Sequence, residues 1–157
     1  MTSKDCSSHI MHSLSCNQKD AASTDAASSV IHLRPHHLLC LQTFIGHGYS
    51  KEFVSQMALV KKSLVRNPSL TIELTTGADD LCRHCPNCKD GVCTSNKPAL
   101  FDRLTLEKLS LTQDPLIQLR GIPQILQISE SILHECCPGC EWKKLCRTVI
   151  CDVSKSC

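Results

Sequence analysis

The sequence predicts a small, α-rich α+β domain, and three features of the chain indicate this class. Apolar residues recur at helical spacing in several segments, whereas residues 70–75 alternate apolar and β-branched polar residues as a strand does. The length of 157 residues is that of one domain. The chain has 13 cysteines but only three Phe, one Tyr and one Trp. A core so poor in large side chains calls for a covalent or metal staple.

The two ends of the chain differ in composition from its middle. Residues 1–30 are rich in Ser and Ala without a sustained apolar period, so we expect a poorly ordered tail, a folded domain over 31–150 and a short tail over 151–157. The N-terminus lacks the apolar segment of a secretory signal, which favours the cytoplasm and reduced thiols. No run reaches the ~18 apolar residues of a membrane span. A net charge of +2 argues against a nucleic-acid partner.

The first ordered elements are predicted to be a short extended piece near Ile31 and a helix that begins at Pro35, a residue well suited to the first turn. Cys40 lies on a face of this helix that adjoins the apolar one. From spacing alone, Cys40 is a buried structural thiol or a metal ligand. His36 and His37 are helix-start histidines with a hydrogen bond each, and metal ligation is the alternative.

The best-defined helix is predicted over residues 50–66, with Ser50 as its N-cap. Its buried face is formed by apolar residues at helical spacing: Phe53, Met57, Val60 and Leu64. The strand over 70–75 follows, and it needs a partner for its backbone groups. Residues 30–34 and 91–94 are both candidates for that partner.

Helices are also predicted in the second half of the chain. One covers 101–111 with Thr105 as a possible cap, and a second starts at Asp114-Pro115 and includes Leu119. A third is opened by Pro123 and carries an apolar face of Ile125, Ile128, Ile132 and Leu133. It leads into the second of two groups of cysteines.

Two cysteine groups about fifty residues apart dominate the chemistry of the chain. The first has Cys82, Cys85, Cys88 and Cys93, with Pro86 and Gly91 at its bends; the second has Cys137, Cys140 and Cys146, preceded by Cys136. Cys-x-x-Cys steps aim two sulfurs at one ion or cluster, so both groups predict a metal centre around which the domain is organised. Zinc and iron–sulfur fit this pattern equally well. Asp79 and Asp80, just before the first group, are expected to be solvated acids, and the alternative is that they cap its turn or accept hydrogen bonds from it.

Four motifs together resemble a small cysteine-rich family of bacterial and archaeal proteins of unknown function that are thought to bind an iron–sulfur cluster. They are Leu33-Arg34-Pro35-His36-His37-Leu38-Leu39-Cys40, Gly46-His47-Gly48-Tyr49-Ser50, Asp80-Leu81-Cys82-x-x-Cys85-Pro86 with Gly91-x-Cys93, and Cys137-x-x-Cys140-x5-Cys146. The resemblance implies these ligands: Cys40, Cys82, Cys85, Cys93, Cys137, Cys140 and Cys146. The weaker candidates are Cys88, Cys136, His36 and His37, while Cys151 and Cys157 lie beyond the pattern.

Seven cysteines exceed the four that one [4Fe–4S] cluster takes, so we expect one or two clusters. A four-cysteine site and a three-cysteine site completed by His36, His37 or an exogenous ligand would use all seven. The expected function is cluster binding in a redox, sensing or scaffold role, with a redox protein as partner. The alternatives are an enzyme that uses an open iron, a structural zinc module, a local site of Cys82, Cys85, Cys88 and Cys93, and a nucleophilic thiolate.

Overall fold

The computed structural model describes residues 30–67, 69–111, 118–120 and 128–154, and these contain five α-helices and five short strands. Several sequence-based expectations lie outside the described residues. They are the tail predicted over 1–30, except for Val30, the helix start at Asp114-Pro115, and Pro123 with Ile125. The described part begins with strand β1, as the extended piece near Ile31 predicted.

The strands form two small sheets. Their bounds are β1 Val30–Leu33, β2 Thr71–Leu74, β3 Cys88–Lys89, β4 Val92–Cys93 and β5 Gln118–Arg120. β2 lies in the middle of the first sheet, parallel to β1 and antiparallel to β5. β3 and β4 pair with each other as a hairpin. Of the two candidate partners for the strand over 70–75, residues 30–34 are therefore confirmed.

The helices are α1 Pro35–Thr43, α2 Lys51–Arg66, α3 Lys97–Lys108, α4 Glu130–Cys136 and α5 Lys143–Ser154. The helix start at Pro35 and the cap at Ser50 are confirmed, since Ser50 Oγ accepts a hydrogen bond of 3.1 Å from the Phe53 N–H. α3 begins at Lys97, four residues before the expected start. Thr105 is consequently no cap but a buried residue within the helix.

Two further expectations were wrong or shifted. Leu119, expected on a helix, belongs to strand β5. Ile128 precedes α4, which begins at Glu130 because Ser129 Oγ accepts from the Ile132 N–H and so caps the helix there. The domain was predicted to end at residue 150, which lies inside α5, since this helix continues through Cys151 to Ser154.

The buried apolar residues form a large main core and a smaller second core. The main core joins β1, β2, α1 and α2, and it includes every residue of the predicted apolar face of α2. The second core consists of Leu39, Leu133, Cys136 and Cys137, with Cys140, Cys146 and Ile150 packed against it. Within the described residues, no helix combines the length and the apolarity that crossing a membrane requires.

The main core provides a direct test of the fold. Leu64 is 1% exposed on α2, whereas Leu59 on the same helix is 59% exposed. We expect Leu64→Ala to lower the free energy of unfolding by about 2–5 kcal/mol because it leaves a cavity. Leu59→Ala, the matched control, should change it by about 0.5 kcal/mol or less. Urea unfolding measures both, and equal effects would contradict the assignment of faces on α2.

Candidate metal centre

All seven cysteines that the resemblance implied as ligands line one cavity of about 320 Å³. They are Cys40 on α1, Cys82 and Cys85 in the first knuckle, Cys93 on β4, Cys137 and Cys140 in the second knuckle, and Cys146 on α5. Here a knuckle means a turn that carries a Cys-x-x-Cys step. Cys88 and Cys136 do not line the cavity, and Cys136 is fully buried in the second core. The cavity therefore separates the principal from the weaker cysteines.

The first knuckle presents the Cys85 sulfur to backbone donors. A 3₁₀ turn, Cys82–His84, ends at Cys85. Burial raises the pKa of the Cys85 thiol, and the backbone N–H groups of Asn87 and Cys88 oppose this rise. Such donors stabilise a thiolate, and they are a feature of turns that hold metal-bound cysteine.

A hairpin then returns the chain to the cavity. β3 and β4 are joined by Asp90 and Gly91, which both have positive φ angles, 49° and 76°. This is the backbone conformation of the two-residue turn that Asp-Gly sequences favour. The turn brings Cys93 back beside the first knuckle. Cys93 therefore lines the same cavity as Cys85, eight residues earlier in the chain.

The second knuckle has the same local arrangement. Gly139 takes a φ of 66° in the turn between Cys137 and Cys140. Burial raises the pKa of the Cys140 thiol, and the N–H groups of Trp142 and Lys143 oppose it, two and three residues after the cysteine as in the first knuckle. Both knuckles therefore have the same pattern, a buried thiol followed by two backbone N–H groups that oppose the rise of its pKa.

Cys40 belongs with the second knuckle. Burial raises its pKa far above the ordinary value, and the next causes are the charges of Cys137, Cys146 and Cys140. Thr43, one turn further along α1, places its Oγ1 3.1 Å from the Cys146 sulfur. Cys40, Cys137, Cys140 and Cys146 therefore form a set of four neighbouring thiols, which we name the four-cysteine set.

The remaining three thiols form a second set around Arg34. The charges of Cys82 and Cys93 both raise the pKa of this arginine, although its burial acts in the opposite direction. Cys93 also raises the pKa of Cys85, after burial. Burial and the carboxylate of Asp79 raise the pKa of Cys82 to about 12. We name Cys82, Cys85 and Cys93 the three-cysteine set.

His36 is held by a buried ion pair. Asp102 is 6% exposed, and its Oδ2 accepts from Arg34 Nε at 2.8 Å and Nη2 at 2.5 Å. Its Oδ1 lies 2.5 Å from His36 Nδ1 and accepts from the His36 backbone N–H at 3.2 Å. Burial lowers the pKa of His36 to about 4, so the ring is neutral at pH 7. With Nδ1 occupied, Nε2 is the ring nitrogen left for a ligand in the cavity that His36 lines.

His37 is fixed in the same way by Asp79, whose side chain is fully buried. Asp79 Oδ2 lies 2.5 Å from His37 Nδ1 and accepts from the Arg34 N–H at 2.7 Å. Its Oδ1 accepts from the N–H groups of Leu81 and Cys82, at 3.0 and 2.9 Å. Burial would raise the pKa of Asp79, but the interactions with His37 and these donors hold it well below its usual range. The expectation that Asp79 is a solvated acid was therefore wrong.

The spacing of the ligand atoms separates two kinds of metal site. Among the described residues, His37, Asp79 and Cys82 form the one group of three potential ligands within 4.8 Å of one another, and no three cysteine sulfurs do so. Thiolates on one tetrahedral zinc, at about 2.3 Å each, lie about 3.8 Å apart. Asp79 already accepts four hydrogen bonds, which leaves its oxygens no lone pair for a metal. Among the described residues, no three cysteine sulfurs therefore have the spacing of ligands on one zinc ion.

The few aromatic residues of the chain all line this cavity. They are Phe44, Tyr49, Phe53, Phe101 and Trp142. Tyr49 packs between two of them, with ring centroids 5.5 Å from Phe53 and 5.4 Å from Trp142. The scarcity of aromatics did predict a weak aromatic core, but not their position. They cover the thiols with apolar surface, which limits the access of water.

Sequence reasoning missed the buried roles of Arg34 and Asp102 beside the cavity, and for Asp79 it gave only the capping alternative. For Asp79 a signal was available, because an Asp three residues before Cys82 is the spacing of an N-terminal cap, which accepts from the third N–H. For Asp102 the sequence has no local signal. Its partners lie 66 and 68 residues away, so only the tertiary structure brings them together.

The comparisons with known proteins agree with the motif resemblance. The model of a family described as "Protein of unknown function (DUF1284)" matches residues 48–146. The match ends at Cys146, as the motifs predicted, and it starts after the Arg34–Cys40 segment. It spans both knuckles and β4. No curated protein and no solved structure matches the chain.

The buried ion pair can be tested by removing one charge. We expect Asp102→Asn to lower the free energy of unfolding of the metal-free protein by about 3 kcal/mol, because Arg34 stays buried without a counter-charge. The control is Arg147→Ala, which breaks an exposed pair with Glu130 at 2.6 Å and should cost about 0–1 kcal/mol. Urea unfolding measures both variants. If Asp102→Asn lowers the free energy of unfolding no more than Arg147→Ala does, this pair does not hold the Arg34 segment.

Proposed function

The chain belongs to the DUF1284 family, and we propose that it binds an iron–sulfur cluster through the four-cysteine set, Cys40, Cys137, Cys140 and Cys146. The observation that carries the proposal is the convergence of thiols from α1, the second knuckle and α5 on one cavity. Four thiolates are the ligands of a [4Fe–4S] cluster. Each thiolate binds a different iron, so the sulfurs stand further apart than on one zinc ion, in agreement with the spacing described above.

The electrostatics of the cavity support a cationic occupant. Burial and mutual repulsion raise the pKa of Cys40 and bring that of Cys137 to about 12. As thiolates these groups would be unstable without positive charge nearby. A cluster core supplies that charge, and the N–H donors at Cys140 and the Thr43 hydroxyl near Cys146 supply hydrogen bonds to sulfur. The residues present therefore fit a cluster.

A cluster with four thiolates has no open iron, which leaves electron transfer, sensing or cluster transfer as its roles. We assign this chain a redox or sensing role in the cytoplasm, with a small redox protein as its partner. The described cysteines are all free thiols, which suits a reducing compartment. Trp142 and Tyr49, at the cavity wall, offer a surface through which such a partner can approach the cluster.

Anaerobic purification tests the proposal directly. We expect a brown protein that contains iron and acid-labile sulfide and whose visible absorption bleaches on reduction. Cys40→Ala and Cys140→Ala should each lose about half or more of the iron, since a cubane loses stability without its fourth thiolate. Cys88→Ala, the matched control from a cysteine outside the cavity lining, should keep the wild-type iron content.

Two results would contradict the proposal. One is a colourless wild-type protein with stoichiometric zinc and no sulfide. The other is retention of the full iron content in both Cys40→Ala and Cys140→Ala, which would place the cluster elsewhere. Circular dichroism of each variant shows whether the fold is intact, so that loss of iron is not confused with unfolding.

A further inference from the structure

The three-cysteine set has no fourth thiol in the cavity, but it has a histidine. We propose that His37, through Nε2, joins Cys82, Cys85 and Cys93 as the fourth ligand of a second iron–sulfur centre in the same cavity. The proposal deepens the proposed function and rests on it for the nature of the cofactor. It uses a different set of ligands, so the two can fail separately.

The position of His37 carries the argument. Its ring reaches within 4.8 Å of the Cys82 sulfur through one of its nitrogens. Nδ1 is engaged by Asp79 at 2.5 Å, and a proton on Nδ1 puts the lone pair on Nε2. A buried carboxylate behind a histidine is the usual support of a metal-binding imidazole, because it fixes the ring orientation and increases the basicity of the ligand nitrogen.

Asp79 positions both kinds of ligand at once. The carboxylate that holds the His37 ring also accepts from the Cys82 N–H, so the imidazole and the first thiol of the knuckle are fixed to one buried group. All four of its hydrogen bonds come from protein donors. Asp79 is consequently a positioning residue, and His37 is the ligand.

Charge favours a neutral fourth ligand at this set. The buried cation of this segment, Arg34, is already paired with Asp102 at 2.5 Å. A fourth thiolate would add negative charge next to the Asp79 carboxylate, which accepts from the Cys82 N–H at 2.9 Å. A neutral imidazole adds none. Histidine ligation raises the reduction potential of an iron–sulfur centre, so the two centres would differ in potential.

His36 is the nearest competitor for the same role. Its ring centroid is 4.2 Å from that of His37, and Asp102 holds its Nδ1 as Asp79 holds that of His37. We choose His37 because one of its ring nitrogens lies within 4.8 Å of the Cys82 sulfur. Nitrogen coupling that disappears in a His36 variant and persists in a His37 variant would overturn this choice.

The experiment isolates the second centre by removing the first. Cys137→Ser/Cys140→Ser takes two thiols from the four-cysteine set and leaves the three-cysteine set intact. We expect this double variant to keep about half of the wild-type iron and sulfide. Produced with ¹⁵N-labelled histidine and reduced, it should show histidine nitrogen coupling to the cluster in pulsed electron paramagnetic resonance.

His37→Asn in the double variant is the decisive change. Asparagine can still donate to Asp79 from about the position of Nδ1, but it has no counterpart of Nε2, so the fold should persist while the coupling is lost. His37→Cys should restore a stable cluster without nitrogen coupling and with a lower reduction potential.

His47→Asn is the matched control. His47 lines the cavity but is exposed and has no carboxylate partner among the described residues, so coupling should be unchanged.

The outcomes separate the two proposals. A double variant that loses all iron overturns the second centre, and one that keeps a cluster without histidine coupling overturns His37 as its ligand. Both results leave the proposed function in place. Coupling that survives His37→Asn overturns the ligand assignment. The proposed function itself fails if the wild-type protein contains zinc and no sulfide. It also fails if Cys40→Ala and Cys140→Ala, made in the otherwise wild-type protein, both keep the full iron content.

Discussion

The structure depends on two buried carboxylates that hold one short segment. Asp79 and Asp102 together accept hydrogen bonds from the backbone of Arg34 and His36 and from the side chains of Arg34, His36 and His37. Burying two carboxylates and a guanidinium is costly unless each is paired and hydrogen-bonded. Here nearly every donor and acceptor is used, so the junction between β1 and α1 has one arrangement. That arrangement directs two imidazoles and Cys40 to the same cavity.

The sequence predicted those parts of the fold that depend on local chemistry. Pro35, Ser50 and the two Cys-x-x-Cys steps act within one turn of the chain, and their positions in the structure agree with expectation. Where the prediction failed, a competing signal was stronger. α3 starts early because Pro98 lies in its first turn, and α4 starts late because Ser129 caps it. The role of Asp102 and the contact of Asp79 with His37 depend on partners 42 to 68 residues away, which no local pattern encodes.

The distribution of large side chains follows from the two tasks of the domain. The main core is mostly aliphatic and fills the space between the first sheet and α2, with Phe53 as a member and Phe44 packed against it. All five aromatic residues, these two included, also line the cavity of the thiols. Rings provide a large, rigid apolar surface with little loss of side-chain entropy, which suits a wall that must keep water from buried sulfur. The few aromatic residues of the chain are therefore concentrated around the cavity that the thiols line.

The two cores should respond differently to the occupant of the cavity. None of the principal cysteines belongs to the main core, although Cys40 and Cys85 pack against it, and its aliphatic packing does not require the ligands to be charged. The second core is small, and Cys137, Cys140 and Cys146 are part of it or pack against it. Cysteines must lose their protons to bind metal. The free energy of metal binding would therefore be coupled directly to the packing of α4 and α5. Cluster loading would thus order the C-terminal helices against a domain whose N-terminal half is already folded, and the four-cysteine set would couple the occupant to that part of the fold.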